Sequence, residues 1–497
     1  MASSNSLVGR AALAVALLVG FYVLAIGVAL GLLWLPLAEV LYTDRIHVKL
    51  ALLCLFASLA ILWSILPRID RFEAPGPRLT AEENPELFRV IEDVARDTDQ
   101  SMPAEVFLVS DLNAFVTERG GVMGLGSRRV MGLGLPLLQV LSVSELRAVV
   151  AHEFGHFHGG DTKLGPWIYK TRSAMGRTLE TLSSSEMGFM AIVMLPFLAY
   201  QKLFLRVTHA ISRAQEYAAD ALAARTQGAH HLTDGLRKIH GAAIAFGPYL
   251  GNELSPALDA GFHPPIAQGF ARFIEAPEVS AAIGQALDHA MENEETDLLD
   301  THPALKDRIA AVAGIACDAA SDDAPAISLL GDVAASERAL LELLLVGGAV
   351  AGLKPIDWEH VGTEVFAPMW KEQTAGNGAA LKGLTPRTYP SDPTALAELV
   401  CRAEPRAADA SVEVQVAMGQ GVFGAALATA LVEEGWALSA EPGAAVTLRK
   451  GDHVVEPFNA LRQLAEGELD EAVWHGLLDD AGIADVPLSG GAAGPKP

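Results

Sequence analysis

The stretch Ala148-Val-Val-Ala-His-Glu-Phe-Gly-His-Phe-His158 is the part of the chain from which the rest can be interpreted. It places His152 and His156 four positions apart, so that on an α-helix the two imidazoles lie about 40° apart around the axis. Both imidazoles can then bind one metal cation, and Glu153 can reach a water on that cation and take its proton. The spacing predicts a metal site with a base beside it.

Local signals predict the helix that this spacing requires. Ser142 and Glu145 form a capping-box pair, and Gly159-Gly160 can end the helix. Two histidines alone do not complete a zinc site, because zinc in proteins takes three or four protein ligands. The remaining ligand has to come from another part of the chain.

A second helix, predicted over residues 212–224, carries two carboxylates four positions apart, Glu216 and Asp220. Such a pair can be a solvated face, but the alanines around it indicate close packing and burial, and a buried carboxylate needs a partner. We therefore predict Glu216 as the third zinc ligand. Asp220 is predicted to hold a ligand imidazole by a hydrogen bond.

His302 and Arg308 stand at the start of a further predicted helix, with Pro303 near its first turn. Such a pair can donate hydrogen bonds to an oxyanion. The alternative is a capping histidine and a surface arginine.

A small β-sheet is predicted between the N-terminus and the metal helix. Residues 105–109 have strand composition, Asn113 and Ala114 follow at its exit, and residues 130–134 are interpreted as a returning edge strand. Gly132 and Gly134 in that strand would let a substrate backbone pair with it. An ordinary edge strand is the alternative.

Two apolar runs near the N-terminus predict a transmembrane hairpin, with spans at about 11–38 and 50–66. Arginines flank its outer ends, which places the following domain in the cytoplasm. A third run, residues 187–205, is short and contains Pro196. Because the metal ligands before and after it must share one side of the membrane, we expect this run to turn back near Pro196 or to pack against the membrane without crossing.

Composition narrows the remaining possibilities. A net charge of −24 argues against nucleic-acid binding. The three cysteines are far apart and indicate no disulfide framework. The predicted organisation is a hairpin (1–68), a metalloprotease-type domain (69–318) with the membrane-associated insert at 187–205, a linker (319–335), an α+β extension (336–485) and a disordered tail (486–497).

Four motifs in this order resemble the HtpX-like and CAAX-prenyl-protease-like integral-membrane zinc metalloproteases: Asn113-Ala-Phe115, His152-Glu-x-x-His156, Ser212-Arg-x-x-Glu216-x-x-x-Asp220, and Thr301-His-Pro303 with Arg308. The resemblance covers about residues 1–315. HtpX-like proteins place a helical pair between the second histidine and the glutamate ligand, where this sequence shows one short run.

The resemblance implies a mainly α-helical gluzincin fold with a small β-sheet, and one zinc on His152, His156 and Glu216. It also implies that Glu153 is the general base and that Asp220 holds a ligand imidazole by a hydrogen bond. His302 and Arg308 would then donate hydrogen bonds to the transition state.

We expect a membrane-anchored zinc endopeptidase that acts on membrane or membrane-proximal, misfolded proteins from the cytoplasmic face of a bacterial plasma membrane. The alternatives are a CAAX-type processing protease and a non-catalytic, zinc-stabilised membrane scaffold.

Overall fold

The structure, a computed structural model, describes residues 4–66, 72–120, 126–157, 165–183, 188–296, 302–345, 350, 352–389, 392–403 and 405–489. Its contacts divide the chain into two compact units. The first contains Met1–Gly241 and Gln285–Leu343, and the second contains Ala242–Gly284 and Leu344–Pro497. The predicted domain boundaries stay a prediction, and this division differs from them because residues 242–284 join the C-terminal unit.

The chain is mainly helical with small sheets, which confirms the predicted fold class. The helices are α1 Ser4–Thr43, α2 Val48–Ile65, α3 Pro85–Asp97, α4 Leu135–Val140, α5 Val143–Gly155, α6 Gly165–Ser183, α7 Gly188–Gln227, α8 Ala229–Tyr249, α9 Ser255–Asp259, α10 Ile266–Glu275, α11 Pro277–Asn293, α12 Leu305–Val312, α13 Val333–Leu344, α14 Trp358–Val361, α15 Ala367–Gly376, α16 Gly378–Leu381, α17 Pro393–Ala403, α18 Val412–Glu433, α19 Pro457–Glu466 and α20 Glu471–Ala481.

The strands are β1 Arg78–Leu79, β2 Glu105–Val109, β3 Ala114–Arg119, β4 Arg128–Gly134, β5 Phe262–His263, β6 Lys354–Pro355, β7 Ala437–Ser439, β8 Thr447–Lys450 and β9 His453–Val455.

Four helices in the described part of the chain are long and apolar enough to cross a membrane: Ala12–Thr43, Val48–Ile65, Met190–Gln227 and Val412–Glu433. The first two match the predicted spans. The fourth is 61% buried, against 22–28% for the others, so we interpret it as a core helix of the second unit.

The N-terminal helices form one bundle. α1, α2, α6 and the first half of α7 share an apolar core that includes Phe21, Ile61, Met175 and Phe197. The outer faces of α1, α2 and the first half of α7 expose large apolar side chains, as a surface in contact with lipid does.

α7 differs from the sequence prediction. It runs as one continuous helix from Gly188 to Gln227 with Pro196 inside, so the prediction that residues 187–205 turn back near Pro196 is wrong. Proline removes one helical hydrogen bond, and packing against neighbouring helices offsets that loss.

α6, Gly165–Ser183, is a helix that the sequence does not predict. Its buried face carries Thr171, Ala174, Met175, Thr178 and Leu182, a narrow stripe of mostly small or polar side chains. The hydroxyls of Thr178 and Ser64 of α2 lie 2.8 Å apart. α6 also packs against α7, although in the described part of the chain it is not among the helices apolar enough to cross a membrane.

The first unit contains a four-stranded sheet in the order β1-β2-β4-β3. β4 pairs in parallel with β2 and antiparallel with β3. The interpretation of residues 130–134 as an edge strand is therefore wrong, since β4 is interior. Among the described residues, β3 is the long strand at an edge of this sheet.

The predicted linker at 319–335 packs against the first unit. The first two N–H groups of α5, from Val143 and Ser144, donate to the carbonyls of Ala324 and Asp322 at 2.8 and 3.1 Å. The amide of Asp322 donates in return to Ser144 Oγ at 2.7 Å. Residues 322–326, which we call the strap, thus satisfy amides that a helix N-terminus otherwise leaves unpaired.

The second unit has a separate core. Tyr249, Phe270 and Trp358 pack together, and β5 pairs with β6, which joins residues 242–284 to the chain after 344. The predicted hairpin near residue 451 is present as β8 and β9. Most of the predicted tail, residues 490–497, lies outside the described residues.

The strap generates a prediction. Ser144→Ala removes the acceptor for Asp322 N–H, a loss of about 1 kcal/mol, so local opening of the strap should rise about fivefold. Limited proteolysis with an endoproteinase that cuts before aspartate measures this opening as cleavage at residues 318–323.

Ser328→Ala is the control, because its exposed hydroxyl donates only to Pro325 O within the same turn. Equal cleavage of the Ser144 variant and the wild type would contradict a docked strap.

Candidate metal centre

α5 presents the two histidines. Ser142 Oγ accepts a hydrogen bond from the Glu145 amide, and the Glu145 carboxylate accepts one from the Ser142 amide, so the predicted capping box is present. The helix ends at Gly155, earlier than predicted, and Gly159-Gly160 lie outside the described residues. His156 keeps helical dihedral angles, φ −63° and ψ −17°, and therefore stays on the face of His152.

α7 brings Glu216 to these histidines. His152 Nε2 lies 3.5 Å from Glu216 Oε2, and His156 Nε2 lies 3.6 Å from Glu216 Oε1. The two imidazole centroids are 4.8 Å apart, with ring planes at 84°. Three of the predicted site residues are thus brought together, although they come from two helices far apart in the sequence.

The close approach of α5 and α7 makes this possible. A Cβ added to Gly155 would lie 2.7 Å from the Cα of Ala219 and 2.9 Å from its Cβ. Only glycine fits at this contact, which lies between the two histidines on one side and between Glu216 and Asp220 on the other. The alanine-rich face of α7 is buried here, as predicted.

Asp220 and Arg308 stand behind the ligands. Asp220 Oδ1 lies 2.8 Å from His152 Nδ1, so that the other ring nitrogen, Nε2, faces Glu216. Arg308 donates to both oxygens of Asp220, at 2.9 and 2.7 Å, in a bidentate pair. The expectation that Arg308 serves as an oxyanion donor does not match this geometry, because its Nε and Nη2 groups are directed at the completely buried Asp220.

His302 occupies the open side of the centre. Its side chain is 63% exposed, and its Nδ1 lies 3.2 Å from Glu216 Oε2. It can therefore reach a molecule that enters from solvent, in contrast to Arg308, whose side chain is 12% exposed. Of the two predicted donors, His302 is the one more accessible from solvent.

The pKa values of the two histidines are shifted in opposite directions. Burial opposes a charge on His152, but the carboxylates of Asp220 and Glu216 outweigh it and raise its pKa to about 9. Burial and the neighbouring His152 lower the pKa of His156 to about 4.

The two glutamates differ as well. Burial raises the pKa of Glu153 to about 7, against the opposing effects of His152 and of a hydrogen bond from the Val116 amide. Burial also disfavours the charge on Glu216, but His152 and His302 outweigh it and hold its pKa well below the usual range. Glu216 is therefore the stably ionised carboxylate of the pair.

These residues fit a zinc ion. Ligand atoms about 2.1 Å from a tetrahedral ion lie about 3.4 Å from one another, close to the two nitrogen–oxygen separations found here. Glu216 Oε2 is buried and makes no hydrogen bond of good geometry within the described structure, although ring nitrogens of His302 and His152 lie 3.2 and 3.5 Å away, so a metal ion would complete its surroundings. Two imidazoles and one carboxylate form a common catalytic zinc set.

Glu153 is the competing carboxylate, since it offers an oxygen within 4.8 Å of His152 and His156 donor atoms. We favour Glu216 as the ligand because its oxygens face both Nε2 atoms. Glu153 is then free for another role. A surface cavity of about 550 Å³ elsewhere in this unit, lined by His230 and Cys317, contains none of these groups.

The predicted substrate-binding residues fall into two groups. Asn113 is exposed, and Ala114 begins the edge strand β3. Gly132 and Gly134 instead lie in the interior strand β4. A Cβ on Gly132 would lie 2.4 Å from the Phe115 ring, and a Cβ on Gly134 would lie 2.0 Å from the carbonyl oxygen of Asp111. The close backbone approach expected of these glycines exists, but the partner is the chain itself.

Two residues at the centre were not singled out from the sequence. Gly155 could have been noticed in the sequence. A glycine within a predicted helix destabilises it by about 1 kcal/mol relative to alanine, which suggests that close packing requires the glycine. Val116 carries none, because it acts on Glu153 through its backbone amide.

The helix contact generates a prediction. Gly155→Ala should force α5 and α7 apart, destabilise the fold by about 1–3 kcal/mol and weaken zinc binding at least about tenfold. A chelator-competition titration measures the zinc affinity, and denaturant unfolding measures the stability.

Gly247→Ala in α8 is the control, because its Cβ would meet nothing within 4 Å. Adding Ala219→Gly to the Gly155 variant should restore part of the affinity. Unchanged zinc affinity in the Gly155 variant would show that the contact does not position the ligands.

Comparison with known proteins agrees with this geometry. Residues 81–316 match the family described as Peptidase family M48. A "Protease HtpX homolog" of Tropheryma whipplei (strain Twist) is 29% identical over 181 residues, 33% of this chain and 60% of the relative. One of Pyrococcus abyssi is 31% identical over 187 residues, 34% of this chain and 61% of the relative.

A third "Protease HtpX homolog", of Thermodesulfovibrio yellowstonii, is 28% identical over 222 residues, 38% of this chain and 74% of the relative. The chain spans about 60% of the length of the Tropheryma relative. No solved structure matches the chain significantly. The resemblance expected from the four motifs is confirmed: residues 81–316 match Peptidase family M48, and the relatives that share this region with the chain are HtpX homologs.

Proposed function

We propose that this protein is a membrane-anchored, zinc-dependent endopeptidase. The observation that carries the proposal is the convergence of His152 Nε2 and His156 Nε2 on the buried carboxylate of Glu216. The family match and the apolar helices support a membrane-associated metalloprotease.

His152, His156 and Glu216 would hold one zinc ion, which lowers the pKa of water and polarises a carbonyl when bound. Asp220 accepts a hydrogen bond from the Nδ1–H group of His152, and Arg308 orients Asp220 through the bidentate pair. These two residues therefore position a ligand from behind and do not touch the substrate.

Glu153 is the general base. It accepts a proton from the attacking water and later passes that proton to the nitrogen of the leaving amine. The Val116 amide holds its carboxylate beside the edge strand. Its place on α5, next to His152 and not among the nearest ligand contacts, suits transfer of a proton better than binding of a metal.

His302 donates a hydrogen bond to the oxygen of the scissile carbonyl as negative charge develops there. Its exposure and its position beside Glu216 support this assignment. The substrate pairs as an extended strand with β3, past Asn113 and Ala114, because β3 is the long edge strand among the described residues.

We further propose that the substrates are membrane or membrane-proximal proteins, in particular misfolded ones, and that the site faces the bacterial cytoplasm. Two observations support this. The helix bundle and the candidate centre belong to one compact unit. Basic residues also flank the outer ends of the N-terminal hairpin.

Glu153→Gln tests the catalytic role. Glutamine keeps the shape of the side chain but cannot take a proton, so cleavage of a membrane-anchored reporter should fall at least about 100-fold. Zinc content, measured by elemental analysis, should stay at that of the wild type.

Glu92→Gln, an exposed change on α3, is the matched control. Undiminished cleavage by the Glu153 variant would refute the role of Glu153 as general base.

Removal of the metal gives an independent test. A chelator should abolish cleavage and lower the unfolding temperature, and zinc should restore both, since about 2.7 kcal/mol of stability is linked to zinc at 100 times its Kd. His156→Ala should remove this zinc response, whereas His289→Ala, at an exposed site on α11, should keep it. A His156 variant that still responds to zinc would exclude the assigned ligand set.

A further inference from the structure

One helix joins the lipid-facing surface to the candidate centre. The first half of α7 exposes large apolar side chains at Ile192 (65%), Leu195 (60%) and Leu203 (50%). Its second half carries Glu216. The inference below rests on the proposed function, because it concerns which peptide bonds can reach that site.

The edge of the bilayer on α7 lies near Arg206. Lys202 and Arg206 are exposed on the face where the apolar residues end, as expected where side chains leave hydrocarbon for headgroups. The Tyr200 hydroxyl donates to Leu17 O of α1 at 2.7 Å and ties the two helices together.

The segment between this edge and the centre is a rigid spacer. Residues 204–215 contain neither proline nor glycine, the common causes of a helix kink. Phe204 and Thr208 are almost completely buried on one side of it. At its far end, Ala219 packs on Gly155.

The length of the spacer follows from helix geometry. Arg206 and Glu216 are separated by about 15 Å along the helix axis, and Leu203 and Glu216 by about 20 Å, at 1.5 Å per residue. An extended peptide advances about 3.4 Å per residue, so about five or six residues cover that distance.

We propose that α7 holds the centre at a fixed height above the bilayer and so selects its substrates. These are membrane-anchored chains with an extended segment of at least about five residues between their transmembrane helix and the scissile bond. Bonds nearer the membrane do not reach Glu216 unless the substrate helix leaves the bilayer, and that costs the burial of its apolar residues.

The test uses the purified full-length protein in proteoliposomes. The substrates share one transmembrane helix and one cleavable sequence, joined by Gly/Ser spacers of two to twelve residues. We expect cleavage with the shortest spacers to be at least about tenfold slower than with spacers of eight or more, and a soluble peptide of the same sequence to be cleaved.

Equal cleavage at all spacer lengths would overturn the proposal that α7 holds the centre at a fixed height, and it would leave the proposed function intact. No cleavage of any substrate, the soluble peptide included, would overturn both. The Glu153→Gln protein serves as the blank in every reaction.

A change in the enzyme tests the boundary itself. Lys202→Leu with Arg206→Leu should move the bilayer edge about one turn, about 5 Å, toward the centre and so shorten the minimum spacer by one to two residues. Lys202→Arg with Arg206→Lys is the charge-preserving control and should leave the minimum unchanged. An unaltered minimum in the leucine variant would overturn the placement of the edge at Arg206.

Discussion

Where Gly155 faces Ala219, the backbones of α5 and α7 approach more closely than helices with larger side chains can. A Cβ on Gly155 would stand 2.7 Å from Ala219 Cα. This contact brings Glu216 to His152 and His156, since one residue pair sets the separation of the helices that carry all three. The family pattern leaves the residue between Phe154 and His156 unspecified, yet in this chain the packing allows only glycine there.

Charge balance is the second requirement of the centre. Four ionisable groups, His152, Glu216, Asp220 and Arg308, are buried or nearly so within a few ångströms of one another, and each compensates another. Arg308 neutralises Asp220, so the Asp220 carboxylate can accept a hydrogen bond from the Nδ1–H group of His152 without being an uncompensated buried charge. What remains directed at the centre is the carboxylate of Glu216.

The sequence allowed the centre to be predicted better than its surroundings. The positions of His152, His156, Glu216 and Asp220 follow from helical spacing, which is local and can be read from residue numbers. The sheet order is not local, because the interior position of β4 depends on its pairing with β2 across an intervening strand, and the sequence around Gly132 is compatible with either an edge or an interior strand.

α6 was not predicted for a different reason: its packed face, with Thr171, Ala174 and Thr178, is not apolar enough to be recognised from hydropathy. Arg308 was predicted as an oxyanion donor because its ion-pair partner, Asp220, is 88 positions away in the sequence and is revealed only by the structure.

The strap shows that the folded unit extends beyond the end of the family match. The match to Peptidase family M48 stops at residue 316, but the first amides of α5 are bonded by carbonyls of residues 322 and 324. The region that sequence comparison defines is therefore shorter than the unit that folds. A fragment cut at residue 316 would begin α5 with two amides open to water, so residues 322–326 are an integral part of the first unit.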